Sequence, residues 1–290
     1  IEVFTQPDRP RDRGHGLAMP PVKAAALEAG IAVHQFERIK NEEGVRALKD
    51  FAPELMVTAA FGQILSRENL EIPKYGCINV HGSLLPKYRG ASPVQSAIIN
   101  GEKVTGVTTM LMDVGLDTGD MLEQKAIPLD EKETGGSLFD KLAEAGAKLL
   151  IATLPHIFDG TAVYEKQPEE SPTPYAGMIT KQMGLMDFSK SAAELERLVR
   201  GLNPWPSAFT FYNGKTLKVW ESFVAESDDL NQAEPGTVVK ADKKGIYVAC
   251  GEGVLVLSQV QLEGKKRMDA DAFLRGCRIE AGNRFADKKE

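Results

Sequence analysis

The chain has 290 residues, 42% hydrophobic and 26% charged, a globular composition with room for one large domain or two unequal ones. Its 35 Lys and Arg against 41 Asp and Glu leave a net charge of −6, which excludes a uniformly basic nucleic-acid binder and leaves room for a local basic patch. Cys77, Cys250 and Cys277 are far apart with no C-x-x-C pair, and no apolar run approaches the ~20 residues of a membrane span, so the expectation is a soluble protein of a reducing, cytoplasmic compartment.

The sequence opens on Ile1-Glu2-Val3-Phe4, an alternating run that reads as a strand already in progress without an initiator methionine, and so predicts a shortened start. Residues 5–16 are rich in turn formers and charge, a loop that carries Arg9, Arg11 and Arg13. A helix is predicted from Val22 to Ala29 with Gly30 past its end, then a strand over Ile31–Val33, a helix over Glu42–Asp50 and a buried strand over Leu55–Ala60. Gly76–His81 is another short apolar strand, ending in polar groups. Pro93–Ile99 opens a helix with proline in its first turn, a strand runs over Val107–Met112, and a long helix over Ser137–Phe158. This alternation predicts an α/β fold with a doubly wound, mostly parallel, Rossmann-like sheet.

After Gly160 the alternation stops. Pro168–Pro174 holds three prolines among acids, Ser and Thr, and a helix over Ala192–Arg200 leads to Asn203-Pro204-Trp205-Pro206. Short strands follow at Phe209–Tyr212, Thr216–Trp220, Gly236–Val239, Gly245–Ala249 and Val254–Val260, with Asn213-Gly214 as a hairpin turn. The predicted organisation is an α/β domain over 1–175, a connecting stretch over 176–204 and a small OB-like β-barrel over 205–290. Trp205 and Trp220 read as buried aromatics rather than base-stacking platforms.

Ligands of open α/β sheets bind beyond the carboxyl ends of the strands, which is where Asn79 and His81 stand. Two apart in a strand, they point to the same side, and an amide donor beside an imidazole suits acyl transfer: the amide holds an oxyanion while the imidazole handles a proton. A second cluster, Asp113 to Asp120, sets three acids and two glycines after a strand. Its glycine spacing does not match a calcium loop. A carboxylate from this cluster beside His81 would favour imidazolium and orient it. Taken separately, a satisfied strand end and a solvated turn explain the two clusters equally well. The glycine-bracketed loop Gly82–Gly90 follows the strand, and no Walker-type or G-x-G-x-x-G run implies ATP or NAD.

Taken together, Cys77 through Pro86 and Asp113 through Asp120 closely resemble the 10-formyltetrahydrofolate-dependent formyltransferases. The resemblance implies a catalytic triad of Asn79, His81 and Asp117, the last being the acid before Thr118-Gly119. It implies 10-formyltetrahydrofolate as co-substrate, with no metal and no nucleotide cofactor. The folate side is implied at Phe61, Gly62, Gln63, Ile64 and Leu65, at Ser83, Leu84, Leu85 and Pro86, and at Val114, Gly115 and Leu116. Within the family, the segment Phe4–Pro10 with Arg13-Gly14 and Pro21-Val22-Lys23, and the β-rich C-terminal part, point to initiator methionyl-tRNA as acceptor, with Arg9, Arg11 and Arg13 at the acceptor stem, and a monomer is expected. The family's first strand and helix are absent here, His15 and Gly16 stand where basic residues are expected, and Ser66 replaces a proline. Independently of the resemblance, residues 236–290 hold 11 Lys and Arg against 8 Asp and Glu, a surplus of 3 that leaves −9 for the rest. Lys240, Lys243, Lys244, Lys265, Lys266 and Arg267 cluster there on predicted turns, suited to phosphates. The rival readings are a formyltransferase acting on an amino-sugar nucleotide, and a tRNA- or folate-binding fragment with impaired catalysis.

Overall fold

The computed structural model describes residues 1–10, 17–226 and 233–286. The chain divides into two compact units, one of residues 1–81, 108–124 and 146–169, the other of residues 82–107, 125–145 and 170–290.

The first unit begins with β1 (Glu2–Thr5), β2 (Arg9–Pro10), β3 (Leu17–Ala18), α1 (Pro21–Glu28) and β4 (Ala32–Gln35). β1 and β4 pair in parallel, Val3 opposite Val33, as strands joined through a helix must. α2 (Glu42–Phe51) opens on two acids that suit its positive end, buries Val45 and Leu48, and closes at Ala52, which adopts φ 49° and donates its N–H to the Leu48 carbonyl. β5 (Met56–Thr58), α3 (Arg67–Leu70) and β6 (Cys77–His81) follow. Ile39, Leu48, Leu65 and Cys77 form the core here, with Phe4, Phe36, Met56 and Phe61 packed against it.

Next in the chain come α4 (Pro93–Ile99), β7 (Val104–Leu111), β8 (Met121–Pro128) and α5 (Gly135–Asp159). The sheet runs β5-β6-β7-β8. β5 and β6 are parallel with Thr58 opposite Asn79, whereas β7 is antiparallel to β6, setting Met110 opposite Asn79 and Thr108 opposite His81. The parallel character expected from the alternation holds for β1–β4 and β5–β6 and stops at β7, so the sheet is mixed. β8 goes unpredicted because Gln124, Lys125 and Ala126 are exposed in a row and the run lacks the apolar alternation that marks a half-buried strand.

In the second unit α4 begins at Pro93, whose missing N–H leaves nothing unsatisfied in a first turn, and α6 (Ala192–Gly201) packs against it. Ser191 and Glu194 cap α6 reciprocally, and the helix buries Leu195 and Val199. Then come β9 (Ala208–Tyr212), β10 (Lys215–Val224), β11 (Val238–Asp242), β12 (Gly245–Ala249), β13 (Val254–Leu262), β14 (Met268–Asp269) and α7 (Ala270–Gly276). The strands form an antiparallel sheet ordered β11-β12-β13-β10-β9, with β14 on β13. Asn213 and Gly214 make the two-residue turn between β9 and β10 at φ 48° and 68°, the backbone such a turn requires. Residues 282–286 hydrogen-bond to both outer strands, at Val238 of β11 and Phe211 of β9, so the sheet's edges are joined by an irregular segment into a barrel-like shape. Its core includes Leu195, Val199, Leu217, Leu255, Leu257 and Phe285. Trp205 is 55% exposed, not buried as expected, and Trp220 is half-buried with its indole N–H donating to Gln261.

Burial pushes the Cys77 thiol up to about 12 and the Cys250 thiol up to about 11, while Cys277 is half-buried. Because the thiolate is the reactive form, a thiol reagent at neutral pH is expected to label Cys277 first and to reach Cys77 and Cys250 only on unfolding, as peptide mass mapping will show.

Candidate active site

β6 is flanked by strands on both sides, so the backbone at its carboxyl end is fixed before any side chain is considered. Asn79 and His81 leave it on one side, two residues apart. From β5 the Thr58 hydroxyl donates to Asn79 Oδ1 at 2.9 Å, with Met112 Sδ 3.1 Å from the same hydroxyl. With its oxygen engaged, the Asn79 amide turns its Nδ2 donor away from Thr58. His81 is 5% exposed, and its Nδ1 lies 3.7 Å from Asp117 Oδ2, within ion-pair range and longer than a hydrogen bond. An imidazole this buried needs a neighbouring carboxylate to carry charge, and Asp117 is placed to be that neighbour.

Asp117 sits in the left-handed region at φ 54°, a conformation Asp tolerates better than most residues and one that collects at functional turns. Two side chains shape its loop. Asp113 Oδ1 accepts from the Gly115 N–H at 3.0 Å and the Thr118 hydroxyl at 2.8 Å, which commits that carboxylate to the turn and leaves Asp117 to face the imidazole. Gln167 Nε2 donates to the carbonyls of Asp117 at 3.0 Å and Gly119 at 2.7 Å. Neither Thr58 nor Gln167 stands out in the sequence: the first sits inside an apolar run, the second in a stretch with no periodicity.

The expected folate-side residues divide by role. Gln63 is held by backbone, accepting from Ile39 N–H at 2.6 Å and donating to the Phe36 carbonyl at 2.8 Å, and so pins its segment. Leu65 is buried in the core with Phe61 packed against it, Gly62 adopts φ 73°, and Ile64 is 71% exposed. In the acidic loop, Val114 and Leu116 flank Gly115 and are also exposed. In the second unit, Ser83 is buried with its hydroxyl donating to the Lys87 carbonyl at 2.6 Å, Leu85 is buried, and Leu85-Pro86 is cis. Leu84 and Pro86 line a cavity of about 650 Å³ with Tyr88 and Glu102. The Tyr88 hydroxyl donates to Glu102 there at 2.8 Å.

Of the expected tRNA residues, Arg9 is exposed and paired with Glu37 at 2.8 Å; Arg11 and Arg13 lie outside the described residues. Lys243 and Lys244 form the β11–β12 turn, and Lys265, Lys266 and Arg267 follow β13. Strand direction opens these two turns, and the Asn213-Gly214 turn, toward the same end of the sheet. The four lysines are exposed, while Lys240 pairs with Asp242 at 2.7 Å and Arg267 with Glu221 at 3.2 Å. Among the described residues no group of His, Cys, Asp and Glu is placed to hold a metal, and no helix is long and apolar enough to cross a membrane.

Two family models match the chain, "Formyl transferase" over residues 1–154 and "Formyl transferase, C-terminal domain" over residues 178–278. The methionyl-tRNA formyltransferase of Agathobacter rectalis is 52% identical over 283 residues, 98% of this chain and 90% of that protein. That of Lachnospira eligens is 54% identical over 283 residues, 97% and 90%. Among solved structures, WlaRD, a sugar 3N-formyl transferase crystallised with dTDP and 5-N-formyl-THF, has TM-score 0.65 at 20% identity, covering 92% of this chain and 89% of that one. HypX from Aquifex aeolicus in complex with tetrahydrofolic acid has TM-score 0.62 at 15% identity, covering 94% of this chain and 46% of that one. At those identities the two structures speak for the fold.

A Cβ added to Gly119 would run into the backbone carbonyl of Leu111, so the turn cannot take a side chain there without moving. Gly119→Ala is expected to destabilise the protein by about 1–3 kcal/mol, the usual cost of overpacking. Urea unfolding of the variant against the wild-type chain measures it.

Proposed function

The chain belongs to the formyl transferase family as one of the methionyl-tRNA formyltransferases, and from that premise we propose that it moves the formyl group of 10-formyltetrahydrofolate onto the α-amino group of initiator methionyl-tRNA, acting as a cytoplasmic monomer that supports translation initiation. The observation that carries the assignment is the meeting of an oriented amide, a buried imidazole and a carboxylate at the end of β6.

The neutral amine of the methionyl ester attacks the formyl carbon, forming a C–N bond and a tetrahedral oxyanion. Asn79 Nδ2 and protonated His81 donate to that oxyanion, and Asp117 sustains the imidazolium through Nδ1. As the intermediate collapses the bond to the folate nitrogen breaks, the imidazolium of His81 gives a proton to that nitrogen and is restored by the proton that the attacking amine releases, with Asp117 holding the ring throughout, and tetrahydrofolate leaves. Nothing is oxidised or reduced. Folate contacts are assigned to 61–65 and 114–116 in the first unit and to 83–86 in the second. Exposed apolar side chains such as Ile64, Val114 and Leu116 suit a flat heterocycle. We assign catalysis to residues 1–175, the connection to 176–204 and tRNA binding to 205–290. The basic turns at one end of the C-terminal sheet support the last assignment, with Arg9, Arg11 and Arg13 contributing from the N-terminal loop.

Asn79→Ala and His81→Ala are each expected to lower kcat by about 10²–10³, the loss typical of one oxyanion donor, with tRNA affinity unchanged; near-wild-type turnover in either would reject the assignment. Lys243→Ala with Lys244→Ala is expected to weaken tRNA binding and to flatten its log–log salt dependence by about 1–2, with kcat at saturating tRNA preserved. Filter binding across a salt series reads both quantities.

A further inference from the structure

Residues 161–169, which follow α5, contribute no strand to a sheet, yet they are tied to the site. Glu165 and Met121 exchange both backbone hydrogen bonds at 2.8 Å, docking the segment beside the start of β8. Two residues on, the Gln167 side chain is 5% exposed and sends its Nε2 between two carbonyls, those of Asp117 and Gly119. Those carbonyls bracket Thr118, and each takes a full hydrogen bond only from a donor that carries two hydrogens. A primary amide has two hydrogens on one nitrogen, so glutamine fits where glutamate or methionine of the same length does not.

The loop has two halves. Asp113 ties the part from Gly115 to Thr118, and Gln167 ties the part from Asp117 to Gly119. Asp117 is where the halves overlap, and it holds a left-handed backbone that persists only when its surroundings over-determine it. At 3.7 Å the carboxylate is beyond hydrogen-bond reach of Nδ1, so their separation follows the backbone. Loss of the clamp would take the Gln167 donor away from both carbonyls and loosen the turn.

We propose that Gln167 is a positioning residue for formyl transfer, its amide holding the Asp117 turn in the one conformation that aims the carboxylate at His81. The kinetic consequence rests on the reaction proposed above. The clamp itself is a property of the fold.

The test uses Gln167→Met, which keeps length and loses both donors, and Gln167→Glu, which sets an oxygen against two carbonyls. Each is expected to lower kcat by about 10- to 100-fold, the effect of misplacing a catalytic group by an ångström, while KM for both substrates stays within about twofold. Because Gln167 acts through Asp117, adding Gln167→Met to Asp117→Asn is expected to cost no further activity, and amide exchange at residues 115–119 is expected to quicken in both Gln167 variants. Wild-type kcat in Gln167→Glu, additive losses in the double variant, or KM rising in place of kcat falling would overturn the proposal. If the wild-type chain forms no formyl product, the reading of the reaction fails, and exchange decides the clamp: unchanged protection at 115–119 in Gln167→Met overturns it, and faster exchange supports it.

Discussion

A buried imidazole takes up a second proton only where a negative charge or hydrogen bonds favour the charged form, and that constraint organises the first unit. His81 is almost wholly removed from solvent, and the carboxylate that would sustain its charged form comes from a loop 36 residues later in the chain. Bringing the two within ion-pair range requires β6 to be fixed on both edges, the turn after β7 to reverse tightly enough for Gly119 to lie against the Leu111 carbonyl, and Asp117 to accept a left-handed backbone. The sheet supplies the first condition, and Asp113 from within the loop and Gln167 from outside it serve the other two. The amide donor is set by the same frame, since the register that puts Thr58 opposite Asn79 also engages the amide oxygen and gives Nδ2 its direction.

Features driven by local chemistry are legible in the sequence. Pro93 and the residues after it mark a helix that spans Pro93–Ile99 as predicted, the strand Gly245–Ala249 keeps its predicted bounds, and Asn213-Gly214 declares its hairpin because few other pairs accept two positive φ angles. Asn79 and His81 are found by the two-residue period of a strand. Asp117 is different: three acids lie within eight residues, and spacing does not separate them. The structure supplies a reason after the fact, since Asp113 is committed to its own turn. Segments without apolar alternation escape a periodic reading, which is why β8 and the segment carrying Gln167 leave no trace. Trp205 escapes for another reason: its exposure depends on tertiary placement that residue type does not reveal.

The C-terminal unit answers a different physical demand. A chain with net charge −6 that handles a polyanion must concentrate its cations, and the antiparallel sheet does so by geometry. Alternate connections of such a sheet open at the same end, so lysines far apart in sequence, at 243–244 and 265–266, share one direction. Several neighbouring cations are already answered by acids, as in Lys240–Asp242 and Arg267–Glu221, which puts most of the weight on the exposed lysines. On the proposed reading, catalysis by oriented donors and binding by clustered cations fall to separate parts of the chain. Relatives about half identical over nearly the whole chain share both parts.

The central claim, that the chain formylates the amine of methionyl-tRNA, is tested most directly by following the formyl carbon itself. The chain is incubated with 10-formyltetrahydrofolate labelled at that carbon, together with initiator methionyl-tRNA and an amino-sugar nucleotide in the same tube. The account predicts label in amide linkage to methionine and none on the sugar. Label on the sugar, or unconsumed formyl donor with both acceptors present, would contradict it.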